Sequence, residues 1–185
     1  MNKNAKTKSK SKLKVTSELD VALSPEGIVT LLLKDHKAMR VLMKKIKSHR
    51  AAPAQIRTNF KLLEKLVLSH VKAEEFSLLK RIEHHPKFED HAKESIEEHH
   101  IHESVLVGIR KLKSTDRQLT QIKIFCELLK DHIDEEEEEL FPQFKRYSAL
   151  STRKKMGTLF IQRRKQTHRP DENLGALTSV KVLPK

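Results

Sequence analysis

His70 and Glu74 stand four residues apart in "LVLSHVKAEEFSLL", and His132 and Glu136 repeat that spacing in "LLKDHIDEEEEELF". An α-helix turns by about 100° per residue, so positions i and i+4 share a face. Each pair falls in step with an apolar series. Ile56, Phe60, Leu63, Val67 and Leu78 accompany the first, and Ile122, Phe125, Leu129 and Leu140 accompany the second. Of the glutamates Glu135, Glu136, Glu137, Glu138 and Glu139, only one or two can face inward, and Glu136 is the one aligned with His132. Two more apolar stripes each carry a histidine: His36 in "LLKDHKAMR" and His99 in "IEEHHIHESVL".

An ionised carboxylate buried without a partner is costly. Two of them among four imidazoles require a compensating cation. Nitrogen and carboxylate donors without thiolate suit iron, manganese or zinc. Two carboxylates able to bridge, with imidazoles at either end, suit two metal ions better than one. The candidate ligands are His36, His70, Glu74, His99, His132 and Glu136. His102 and Glu103, three and four residues after His99, are further candidates. His49, His84, His85 and His91 fall near helix ends or loops and read as solvated.

The elements that must position these residues are helices. Ser24-Pro25-Glu26 reads as a helix start, with Ser as N-cap and Pro at the first helical position. That helix runs to about His49, with Val29, Leu32, His36, Met39, Met43 and Ile46 on its stripe. A second begins at Pro53 and extends to about Glu83, and a third, after "EHHPKF", to about Lys113. Thr115 with Gln118 resembles a capping box for a fourth helix that ends near Arg146. A shorter amphipathic helix, about Ser151 to Arg164, carries Met156, Leu159 and Phe160. Long helices joined by short loops predict an all-α, up-down-up-down antiparallel four-helix bundle over 21–146. The additional helix occupies 147–166 and packs on the outside or end of the bundle.

Composition agrees. The 185 residues are enough for one domain with a real core, and four Gly, no Trp and 4% aromatics argue against a β-sandwich. The net charge of +13 is confined to the ends. Residues 1–14 hold six lysines and no acid, and 147–185 hold nine Lys/Arg and two acids, leaving 23 of each sign between. Segments 1–20 and 167–185 read as flexible, solvating basic tails, with weak contact to nucleic acid, anionic lipid or an acidic partner as the alternative. No apolar run approaches the roughly 20 residues that span a bilayer, and no secretory signal is visible. The single Cys126 cannot form an internal disulfide, which fits a reducing, cytoplasmic setting. No His-Glu-x-x-His, Cys-x-x-Cys, phosphate-binding glycine loop or Gly-x-Ser-x-Gly is present.

From about Ser24 to Arg146 the chain resembles the hemerythrin-like, or HHE cation-binding, family. The resemblance rests on "KDH", "HVKAEE", "EEHH" and "HIDEEEEELFP", the last being the most specific. It implies a four-helix bundle holding a non-haem di-iron centre on His36, His70, Glu74, His99, His132 and Glu136. The roles it implies are binding or sensing of O2 or NO. An alternative is a di-iron redox enzyme or iron donor in oxidative or nitrosative stress, and another is a structural or iron-handling site. Oxygen carriers of the family place a second His four after the helix-three ligand. Here that position is Glu103, so the likeness is to the broader HHE set.

Overall fold

The computed structural model describes residues 26–167, all helix and connections, with no strand among them. The first rod is α1, Ile28–Ile46. The second joins α2, Pro53–Glu74, through a π-helical segment, π1, Glu75–Leu79, to a last turn, α3, Lys80–Ile82. The third is α4, Glu89–Lys111. The fourth joins α5, Thr115–Glu135, through π2, Glu136–Leu140, to α6, Phe141–Tyr147. The fifth is α7, Leu150–Thr167. Both expected basic tails lie outside the described residues, apart from Thr167 at the end of α7. No described helix is long and apolar enough to cross a membrane.

Two helix starts differ from the sequence reading. Ser24 and Pro25 lie outside the described residues, and the first helix begins only after Gly27, so Glu26 precedes it instead of sitting in its first turn. Gly157 of α7 packs so closely on this entry that a Cβ there would lie 2.6 Å from the Glu26 carbonyl oxygen. The fourth rod is capped by Ser114, whose Oγ accepts from the Arg117 amide at 3.5 Å, and Thr115 is already helical. Gln118 does not close a box; its side-chain amide donates to the Ile109 carbonyl at the end of α4. The second rod starts as expected, with Pro53 at its first turn and the Gln55 side chain accepting from the Ala52 amide at 2.9 Å.

The apolar core is divided in two. One cluster includes Met39, Met43, Phe60, Leu63, Val67, Leu106, Phe125, Leu129 and Ile133. The other includes Ile28, Leu32, Leu78, Leu79, Ile82, Phe88, Leu140, Phe141, Phe144 and Phe160. Each fully buried side chain of this size contributes roughly 1.5–3 kcal/mol. Between the halves lies a layer of buried histidine and glutamate. The oily halves must offset the cost of that layer.

The π segments serve the same layer. In the second rod His70, Glu74, Leu78 and Ile82 are all buried, and in the fourth His132, Glu136, Leu140 and Phe144 are. Each four-residue step overshoots a helical turn by about 40°, so three in succession would carry a residue about 120° off the stripe. One extra residue per turn in a π segment absorbs the drift. In the fourth rod it also relieves Pro142, whose ring would collide with the carbonyl four residues earlier in a regular α-helix.

Candidate metal centre

His36, His70, Glu74, His99, His132 and Glu136 come together, each between 0% and 3% exposed. They form two imidazole pairs. His36 Nε2 lies 3.2 Å from His70 Nε2, and His99 Nε2 lies 3.2 Å from His132 Nε2. Each glutamate reaches one imidazole of each pair. Glu74 Oε2 is 3.1 Å from His70 Nε2 and 3.8 Å from His99 Nε2. Glu136 is 3.5 Å from His36 Nε2 and 3.6 Å from His132 Nε2. The donors form two sets, His36–His70–Glu136 and His99–His132–Glu136, whose ligand atoms lie within 4.8 Å of one another.

An outer ring of carboxylates orients the four imidazoles. His70 Nδ1 donates to Asp35 Oδ2 at 3.1 Å, and His99 Nδ1 to Glu75 Oε1 at 3.3 Å. His132 Nδ1 donates to Glu98 Oε2 at 2.6 Å, and His36 Nδ1 to Glu137 Oε1 at 3.0 Å. Each rod supplies the acid for the next: first to second, second to third, third to fourth, fourth back to first. Every acid sits beside an inward residue of its own rod, as Asp35 does beside His36 and Glu137 beside Glu136. Such outer acids fix the tautomer and raise the basicity of the inward nitrogen.

In a neutral ring the outward Nδ1 proton leaves the Nε2 lone pair facing the centre, whereas a protonated ring, as His70 is without metal, presents an Nε2–H there. All four oxygens of Glu74 and Glu136 are buried without a hydrogen bond of ordinary geometry. Buried polar groups normally have partners, and orphans of this kind call for a cation. Without a metal, protons must answer the charge, and the acidities show it. Burial disfavours charge on His70, yet the Glu74 and Asp35 carboxylates outweigh it and hold its pKa up at about 10. Burial, then the neighbouring Glu74 charge, pushes Glu136 up to about 8. Burial drives His36 down and His99 well below the usual imidazole range, the latter helped by the charge of His132. The donor set therefore fits divalent or trivalent cations of borderline hardness.

His102 and Glu103 stand outside both donor sets. His102 is buried, its ring 5.1 Å from that of His132, and its Nδ1 has no hydrogen-bond partner. Burial, then the charge of His132, lowers its pKa to about 4, so it stays neutral. Glu103 is half-buried, and its charge bears on Glu75. His49, His84 and His85 are exposed. His91 groups with Glu94 and Glu135 on the surface, away from the buried layer.

Sequence reasoning missed Asp35, Glu75, Glu98 and Glu137 as partners of the imidazoles. Their adjacency to inward residues was visible, but each meets a histidine of another rod. Also missed was the fifth helix's reach into the site: Phe160 packs edge-on to His70 at 6.0 Å between ring centres, and Arg164 Nη1 donates to Asp35 Oδ1 at 2.5 Å.

A helical bundle with a buried layer of paired imidazoles and carboxylates defines a metal-binding class of protein. The chain matches the model of the hemerythrin HHE cation-binding domain over residues 27–144. It belongs to that family, and its cation-binding domain accounts for the first four rods. No curated protein and no solved structure matches the chain.

Proposed function

We propose that this protein holds two iron ions between its imidazole pairs and binds or senses O2, or another small diatomic such as NO. The observation that carries the reading is the pair of buried glutamates, each placed between imidazoles of both pairs, with four oxygens lacking hydrogen bonds. His36 and His70 would hold one ion, His99 and His132 the other, and Glu74 and Glu136 would span them. Iron so held would supply the electrons and Lewis acidity that binding of a diatomic needs.

The chain's own residues do the rest. The outer acids keep every Nε2 aimed inward. The two apolar halves limit water at the centre: Leu32 lies on one side, and Met39, Phe60, Leu63, Val67, Leu106, Phe125 and Leu129 lie on the other. Phe141 stacks on His36 with 5.5 Å between ring centres. The first four rods alternate in direction, as their short connections favour, and the lone thiol of Cys126 suits the cytoplasm.

Anaerobic titration with ferrous iron, followed by exposure to air, tests the reading. Two irons per chain and a charge-transfer band that reverses on removing oxygen are expected. Irreversible oxidation on first exposure would favour an oxidase or storage role, and zinc-like silence with a gain in stability would favour a structural site. His70→Ala and His132→Ala are expected to reduce iron content to near background, with His84→Ala as the unchanged control. Full iron loading in both ligand variants would overturn the assignment.

A further inference from the structure

The family domain ends at Phe144, yet the surroundings of the buried layer do not. Two contacts tie α7 to one half of that layer, and a third seats α7 on the first rod. Arg164 Nη1 holds Asp35 Oδ1 at 2.5 Å, and Asp35 Oδ2 accepts from His70 Nδ1 at 3.1 Å. Phe160, 1% exposed, packs edge-on to the His70 ring. Gly157 brings the α7 backbone against the entry of α1.

The other acid serving this half is clamped as well. Glu137, which accepts from His36, is 3.3 Å from Arg40 Nη2. The two acids serving the other half differ. Among the described residues, Glu75 and Glu98 make no ion pair with a lysine or arginine within 4.0 Å; each pairs with its histidine alone. Aromatic walls also differ. Phe141 and Phe160 flank His36 and His70, whereas His132 faces the neutral ring of His102.

We propose that α7 is part of the metal centre, and that Arg164, acting through Asp35, is a positioning residue for the His36–His70 metal position, so that the two positions load separately. This rests on the two-metal reading above. Arg164 fixes the carboxylate that fixes His70. Loosening it lets the imidazole turn away from its partner. Outer-contact changes of this kind typically lower metal affinity about 10–100-fold. Among the described residues the acids of the His99–His132 position, Glu75 and Glu98, make no ion pair with α7, so that position should keep its affinity.

The test is a titration of the full metal-free chain with cobalt(II) alone, read by visible absorption and by calorimetry. Two resolved steps are expected for the wild type. Arg164→Gln should weaken one step about tenfold and leave the other unchanged. Arg164→Lys should recover much of the loss, because it restores a cation beside Asp35. Met156→Ala, which loosens α7 against the apolar core without touching Asp35, should lower the unfolding temperature but leave both steps in place. Equal weakening of both steps by Arg164→Gln, an unchanged titration, or the same affinity loss in Met156→Ala would overturn the proposal. A wild type that takes fewer than two cobalt ions would overturn it together with the two-metal reading, whereas two ions with an indifferent Arg164→Gln overturns this proposal alone.

Discussion

Glu136 carries conflicting demands. Burial and the charge of Glu74 raise its pKa to about 8, from an ordinary value near 4.5. Between those values the folded, metal-free chain holds a proton that the unfolded chain has lost. The folded state then binds more protons, so its stability falls as pH rises through that window. Glu136→Gln removes the group that must ionise. Metal-free Glu136→Gln is therefore expected to be more stable than metal-free wild type at pH 8, with the difference shrinking toward pH 4.5, in urea unfolding. It should also bind less metal. A variant less stable than wild type at pH 8 would show that the carboxylate is not strained there. Cys126 makes the opposite point about reactivity. Burial pushes its thiol up to about 12, so it is a packing residue in the apolar cluster. It should resist alkylation at pH 8 in the native chain and react at once in denaturant; fast native labelling would contradict its burial.

At the scale of elements, the centre depends on irregular helices. Both π segments start at or directly after an inward glutamate: π1 follows Glu74, and π2 begins at Glu136. They keep the inward residues above and below the glutamate on one face. The clue was present in the sequence as two runs of four-residue spacing, 70-74-78-82 and 132-136-140-144, which no regular helix can keep aligned. The seat of α7 is equally particular. An alanine methyl at Gly157 would lie 2.6 Å from a backbone carbonyl oxygen, which cannot move as a side-chain tip can. Gly157→Ala is expected to destabilise the fold by about 1–3 kcal/mol, the cost of overpacking. That exceeds the gain of up to about 1 kcal/mol in helix propensity. Urea unfolding measures it, and a stabilised variant would show that α7 sits less tightly on α1.

For the whole molecule, the buried polar layer separates two apolar halves that are each continuous. Cations that answer the layer's charge bind the folded chain and not the unfolded one, so loading must stabilise the fold. At a free metal concentration a thousand times the dissociation constant, the gain is about 4 kcal/mol, on the order of 10 °C in unfolding temperature for a chain of this size. Calorimetry of the metal-free and iron-loaded chains checks this. Equal unfolding temperatures would mean that the layer is satisfied without metal.

The sequence alone determined the helices, their buried stripes and the inward set His36, His70, Glu74, His99, His132 and Glu136, because helical periodicity is local and the type of each residue on a stripe can be read directly. It also exposed the family through its spaced motifs. It did not determine which acid meets which imidazole. Asp35, Glu75, Glu98 and Glu137 lie beside inward residues of their own rods but act on histidines 24 to 101 positions away in the chain. Nor did it reveal that Arg164, 129 positions from Asp35 in sequence, is in contact with it in space. Those pairings follow from how neighbouring rods are rotated against each other, and only close packing of the two apolar halves sets that rotation.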